Sequence, residues 1–144
     1  MNSYVIDVNI LFSGLISRKP FYAKIFSKYT FYTSDFALLE LEKYRNILLK
    51  KIPNEQWEIF EQFALKIFSQ LTIVPNLLLR NEVKEAAYQL CEPVDTKDYL
   101  YVAVAMQLNL TLITRDKPLY EHLKANNFSN MILFDDFLNQ KEIF

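Results

Sequence analysis

The sequence predicts an α/β fold: a parallel-stranded central sheet with helices on both faces and a helical hairpin inserted at about residues 35–68. Three observations predict it. Short apolar runs alternate along the chain with segments of helical periodicity, the order that builds parallel sheets through helical crossovers. The apolar runs are near-continuous, as in Val5-Ile6 and Leu112-Ile113, which is how strands read when helices cover both faces. And 144 residues, 51% hydrophobic and 23% charged, suffice for one domain with its own core and argue against disorder.

Each element has its own signal. Tyr4–Val8 is a β-branched apolar run and reads as a strand, followed by a helical stretch from about Asn9 to Ser17. Pro20 opens a short helix near Phe21–Ser27. Thr30–Thr33 reads as the second strand, and Ser34 as the cap of a helix from Asp35 to Lys50. Pro53 breaks that helix, and Asn54 caps another through Phe68. Leu71–Val74 is a third strand, ended by Pro75. Glu82–Cys91 and about Lys97–Leu108 read as helices, with Pro93 between them. Leu110–Thr114 and Met131–Phe134 complete the strands, with a helix near Pro118–Asn126 between them and another beginning at Asp135-Asp136.

Composition removes whole classes of chemistry. Gly14 is the only glycine, so phosphate-binding loops and nucleophile elbows, which need several, are absent. His122 is the only histidine and Cys91 the only cysteine, which excludes paired-histidine and multi-cysteine metal motifs. The lone cysteine fits a reducing, cytoplasmic setting. Met1–Asp7 lacks the basic start of a signal peptide. The longest apolar run, Tyr99–Met106, falls far short of the roughly 20 residues of a membrane helix, so no membrane partner is expected. A net charge of -1 announces no global field for nucleic acid, so such a partner would need a local patch. What the chain has in quantity is 17 carboxylates.

Their placement is informative, because function in parallel sheets gathers beyond the carboxyl ends of the strands. Asp7 ends the first predicted strand and Asp116 follows the fourth. Asp98 begins the helix before the fourth strand, sharing a face with Tyr101, Val102 and Ala105. Glu40 lies beside the apolar stripe Ala37-Leu41-Tyr44-Leu48, whereas Glu42 points to the opposite, solvated side. Buried carboxylates are costly alone, and a shared cation removes that cost. The competing explanation is capping: Asp7, Asp95, Asp98 and Asp116 all lie near helix starts, where aspartate is favoured. Glu40, mid-helix, has no such explanation. Trp57, Phe60, Phe63 and Ala64 recur at helical spacing and read as core or interface.

Four segments carry a family resemblance. Val5-Ile6-Asp7-Val8-Asn9 resembles the opening strand of PIN-domain nucleases, which ends in Asp-x-Asn. Leu39-Glu40-Leu41 is similar to that family's second acidic motif, Asp95-Thr96-Lys97-Asp98 before an Ala-rich helix to its third, and Thr114-Arg115-Asp116 to its fourth. The resemblance runs in order from Val5 to about Phe137. Tyr99 departs from it, standing where the family commonly has a small residue such as Ala, which bears on access to the pocket.

The resemblance implies a three-layer PIN-like domain and a metal-dependent endoribonuclease, in which Asp7, Glu40, Asp98 and Asp116 hold one or two Mg²⁺ or Mn²⁺ ions. Such ions prefer oxygen donors and activate water, so neither histidine nor a serine nucleophile is required. Asn9, Ser13, Thr114 and Asp95 are then expected to orient the acids or the ion's waters, with local capping and turn bonding as their alternative. Arg115, Lys43 and Arg45, with Arg18-Lys19, are the expected phosphate contacts to RNA, Arg115 foremost. Small stand-alone members of the family commonly act as toxins, which implies an antitoxin protein as partner. A homodimer through the apolar hairpin is a further expectation. Two other classes stay open: a phosphohydrolase with Asp7 as aspartyl nucleophile, and a non-catalytic binding module.

Overall fold

A computed structural model describes residues 2–94 and 96–141, in which five strands build one sheet with helices between them. The elements are β1 (Ser3–Ile6), α1 (Val8–Ser17), α2 (Pro20–Lys28), β2 (Thr30–Ser34), α3 (Phe36–Lys43), α4 (Arg45–Lys51), α5 (Trp57–Ser69) and β3 (Leu71–Val74). They continue with α6 (Asn81–Cys91), α7 (Tyr99–Leu108), β4 (Thr111–Thr114), α8 (Lys117–Ala125), β5 (Met131–Leu133) and α9 (Phe134–Gln140). Short 3₁₀ turns at Asn54–Gln56, Asn76–Leu78 and Thr96–Asp98 lead into α5, α6 and α7.

The strands run parallel in the order β3-β2-β1-β4-β5, the sheet of a three-layer α/β/α fold. β1 is therefore central, with Val5 opposite both Tyr32 and Leu112. Both of its last residues, Val5 and Ile6, are buried, as are Leu112 and Ile113 of β4, because each face of the sheet is covered. On one face α7 lies across β1, β2 and β4, with α6 packed along it. Five consecutive α7 residues, Tyr101 to Ala105, are buried, so this helix is enclosed on all sides. On the other face α2 meets β2, α5 meets β3 and α9 meets β4 and β5, with α1 and α2 packed on α5.

Several expected boundaries move: Val8, expected to end the first strand, opens α1 instead. The predicted Asp35–Lys50 helix is two helices, broken at Tyr44 (φ −90°, ψ 3°), where the ring packs on Phe12 at 4.9 Å. The insert between β2 and β3 thus holds three helices, α3, α4 and α5. Phe134, expected to end β5, instead opens α9, with Asp135 and Asp136 in its first turn at the favourable end of the helix dipole. Asn54 makes no side-chain cap; the helix there starts through a 3₁₀ turn after Pro53. Ser34 does cap, accepting the Phe36 amide at 3.0 Å.

Gly14, inside α1, has a packing reason. A Cβ there would stand 3.0 Å from the Tyr22 ring, so its absence lets α1 approach α2 closely.

Candidate active site at the carboxyl edge of the sheet

The chain winds outward from β1 through β2 to β3, then returns to the other side of β1 as β4. The strand order reverses between β1 and β4, and in such sheets a crevice opens there, beyond the strands' carboxyl ends. Asp7 and Asp116 flank that point. At the end of β1 the ladder stops, and side chains from its two neighbours take over. Thr33 donates its hydroxyl proton to the Ile6 carbonyl at 2.7 Å, and Thr114 donates to Asp7 Oδ2 at 3.1 Å. Thr114 Oγ1 also accepts the Asp116 amide at 3.0 Å. One fully buried threonine thereby ties the two aspartates together.

Both aspartates are also caps. Asp7 Oδ1 accepts the Ile10 amide at 3.3 Å and Asp116 Oδ1 the Leu119 amide at 3.0 Å. Capping and clustering are therefore not alternatives here; the same two residues do both. Asp7 is only 3% exposed. Burial pushes its carboxyl up to about 6, against hydrogen bonding from Ile10, Thr114 and the Asn9 backbone, and the negative charge of Asp116 adds to the rise.

The other two acids arrive from helices. Glu40 is half-buried on α3, and Asp98 is half-buried at the start of α7, where its side chain makes no helix cap. One turn along α7 stands Tyr101, 1% exposed, whose hydroxyl the Val8 backbone N–H faces. Burial first, then the negative charges of Asp7, Glu40 and Asp98, push the Tyr101 phenol far above the ordinary tyrosine range. Asp7, Glu40 and Asp98, from separate parts of the chain, thus all act electrostatically on one buried hydroxyl, and the fourth, Asp116, joins Asp7 through Thr114. Among the described residues no three acidic, histidine or cysteine side chains stand close enough together to hold a metal ion. The donor set is oxygen only, which suits hard divalent cations.

The remaining expected residues divide. Arg115 is exposed but anchored: it donates to Ser13 Oγ at 2.7 Å and to the Tyr22 hydroxyl at 3.0 Å, and lies 4.7 Å over the Phe134 ring. The hydrogen bond that Ser13 makes is therefore to Arg115, not to an acid. Asn9 is exposed and acts on Asp7 through its backbone amide. Lys43 and Arg45 are exposed on either side of the Tyr44 break. Arg18 is tied to Gln56 at 3.0 Å, away from the acids' hydrogen-bond network. Asp95 lies outside the described residues. Tyr99 turns its bulk against α6, meeting Tyr88 edge-on at 5.3 Å and lining a cavity with Asn81, Lys84 and Glu85. His122 places Nε2 3.0 Å from the Leu90 carbonyl, which makes that nitrogen the protonated one.

Two residues escape sequence reasoning: Tyr101 as a polar member of the site, and Lys117. Lys117 shares a cavity of about 480 Å³ with Arg115, Leu133, Phe134, Asp135 and Asp136, beside the switch point. The available signal for Tyr101 was its place three residues after Asp98 on an otherwise apolar helix face.

An acid-edged three-layer α/β/α domain with carboxylates at its switch point is the architecture of a nuclease family. The chain belongs to the PIN domain family, whose members are generally nucleases; the family model matches residues 5–131, from β1 to the start of β5, and spans all four acids. Among solved structures, the chain is similar to a toxin–antitoxin complex from Klebsiella pneumoniae, with TM-score 0.59 and 16% identity over 90% of this chain and 95% of that one. It is likewise similar to PAE2754 from Pyrobaculum aerophilum, with TM-score 0.62 and 15% identity over 96% of this chain and 93% of that one. At these identities the likeness speaks for the fold. No curated protein sequence matches the chain.

Proposed function

We propose that the protein is a divalent-metal-dependent endoribonuclease, with Asp7, Glu40, Asp98 and Asp116 holding one or two Mg²⁺ or Mn²⁺ ions. The observation that carries this is the pairing of Asp7, a 3% exposed carboxylate, with Asp116 through one buried threonine at the sheet's switch point. A buried carboxylate beside a second one is unfavourable, and a hydrated cation next to them would relieve that cost. When bound by these residues, such ions would supply activated water and charge stabilisation for the leaving oxygen. The chain's own residues do the rest. Thr114 fixes the rotamer of Asp7 and the backbone of Asp116 at once, so two donors keep a set spacing.

Arg115, held by Ser13, Tyr22 and Phe134, offers its guanidinium to an RNA phosphate from a rigid position, while Lys43 and Arg45 add mobile charge. An aspartyl-nucleophile phosphohydrolase is disfavoured, because Asp7 is 3% exposed with both oxygens already hydrogen-bonded.

We extend the reading to a toxin held by an antitoxin protein. Leu38, Leu39, Leu77 and Leu78 are exposed by 44, 63, 90 and 59%. Leu38 and Leu39 line a cavity of about 450 Å³ with Asp35, Phe36, Asn76 and Leu100, next to the acids, and that apolar surface suits a protein partner. Ile59 and Leu65 on α5, 64% and 65% exposed, offer a separate face for a homodimer. No helix among the described residues is long and apolar enough to cross a membrane, and an RNA substrate sets the work in the cytoplasm.

The test is cleavage of single-stranded RNA with added Mg²⁺ or Mn²⁺. Wild type should cleave, a chelator should stop it, and Asp98→Asn should be inactive while folded. Cleavage that survives both chelator and substitution overturns the assignment.

A further inference from the structure

The cavity of about 480 Å³ lined by Arg115, Lys117, Leu133, Phe134, Asp135 and Asp136 has a volume that suits a small ligand. Arg115 and Lys117 are the chain neighbours of Asp116, so the cavity opens next to that carboxylate. The fold leaves its charges largely unused. Arg115 commits two of its five N–H donors, to Ser13 and Tyr22, with its guanidinium laid over the Phe134 ring. Lys117, Asp135 and Asp136 are exposed, and among the described residues no ion pair joins Arg115 or Lys117 to either carboxylate. The dipole of α9 explains why carboxylates are favoured in its first turn. It does not explain why they share a cavity with two cations and pair with neither. A ligand that carries an anionic group at one end and hydrogen-bond donors at the other matches such a wall.

We propose that this cavity seats a guanine nucleotide of single-stranded RNA, with Arg115 and Lys117 on its phosphate and Asp135 on its base. The inference rests on the ribonuclease reading above and adds a base preference to it. A phosphate offers only acceptors, which two cations with uncommitted donors can meet. A carboxylate offers two acceptors side by side, and its best match is a base with two neighbouring N–H donors. Guanine presents them, at N1–H and the 2-amino group. Adenine and cytosine set a ring acceptor beside their amino group, and uracil flanks its N–H with carbonyls. These edges are open to a protein where the strand is unpaired. Asp135 is assigned rather than Asp136 because Asp136 also lines a second cavity, with Tyr4, Thr111 and Asn139. The half-buried Leu133 gives the base an apolar wall.

The experiment titrates guanosine, inosine and adenosine 5′-monophosphates into the protein and follows the backbone amide resonances of Leu133 and Phe134 by NMR. Wild type should bind the guanine nucleotide about tenfold more tightly than the adenine one, the scale of one good two-point base contact. Inosine, which lacks the 2-amino group, should lose most of that advantage. Asp135→Asn should remove the preference, and Lys117→Ala should weaken all three nucleotides alike. A short single-stranded RNA holding one guanine should displace the guanine nucleotide about tenfold better than the same RNA without it. Equal affinities in wild type, or a preference that survives Asp135→Asn, overturn the proposal. So does failure of the guanine RNA to compete, which would mark a site for free nucleotides. Cleavage is scored separately. RNA cut equally with and without guanine sinks this inference alone, whereas a guanine preference without any cleavage supports the pocket and removes the ribonuclease reading.

Discussion

The two ends of the same central strands are built on opposite principles. At the amino end, the Tyr4 ring meets Phe137 at 5.0 Å and Tyr29 at 5.8 Å, both edge-to-face, and Phe137 meets Tyr29 at 5.5 Å. The Lys141 ammonium lies 5.9 Å from the Tyr4 ring and 5.8 Å from the Tyr29 ring. Apolar surface is buried there in favourable ring geometry. At the carboxyl end a carboxylate is buried with its pKa raised to about 6. One end maximises stability and the other gives some of it up. Strain and unfavourable burial concentrate where function is held, and the rest of the fold offsets them.

The largest effect expected is on the stable end. Phe137→Ala should lower unfolding free energy by about 3–5 kcal/mol in denaturant titrations, as deletion of a buried ring does. RNA cleavage per folded molecule should not change. If cleavage falls in proportion, the two ends are not independent.

Next is the acidic end. Glu40→Gln should reduce metal-dependent cleavage by about 10²–10³-fold, the scale for losing one electrostatic stabiliser. Its melting temperature should stay within the error of wild type, since Glu40 is half-buried and mid-helix.

The third prediction sharpens the contrast through pH. The Asp7 pKa rises from 3.8 unfolded to about 6 folded. The fold therefore favours the protonated acid, and stability is lost as pH rises through that window. The loss reaches about 3 kcal/mol above pH 6, from a shift of about two units. Asp7→Asn abolishes the titration, so near neutral pH the variant should be on the order of 1–2 kcal/mol more stable than wild type, and catalytically dead. The gain is smaller than the full term because an amide cannot accept from Ile10 and Thr114 alike. A variant less stable than wild type at neutral pH would show that the buried charge is not a burden.

The smallest effect belongs to Arg115. Arg115→Ala should reduce the salt dependence of RNA binding by about one phosphate contact. It should also cost about 1 kcal/mol of stability, because the side chain also ties Ser13, Tyr22 and Phe134 together. Lys43→Ala should show the salt effect without the stability effect.

What was legible in the sequence follows from range. The strands are short apolar runs, so β1 and β4 could be read, and with them the places of Asp7 and Asp116 past their ends. The period-2 register did the rest: Ile6 pairs with Ile113, and the next residue on each strand, Asp7 and Thr114, share a hydrogen bond. The break at Tyr44 was not legible, because apolar spacing continues unbroken from Leu41 to Leu48. What interrupts it is the Tyr44 ring packed on Phe12, a tertiary contact. Phe134 misled for a similar reason: Met131–Phe134 is one apolar run, but Arg115 stacks over the Phe134 ring from across the sheet edge. Tyr101 could be read as a core residue. That its hydroxyl feels the charges of Asp7, Glu40 and Asp98 is a fact about other parts of the chain, and no local pattern contains it.

The account depends on a cation drawing the acids of the carboxyl edge together. The direct measurement is the melting temperature of wild type and Asp7→Asn near neutral pH, each with and without saturating Mn²⁺. A ligand that binds only the folded state must raise its stability. The account predicts a clear rise for wild type and none for Asp7→Asn. No rise in wild type, or an equal rise in both, would contradict it.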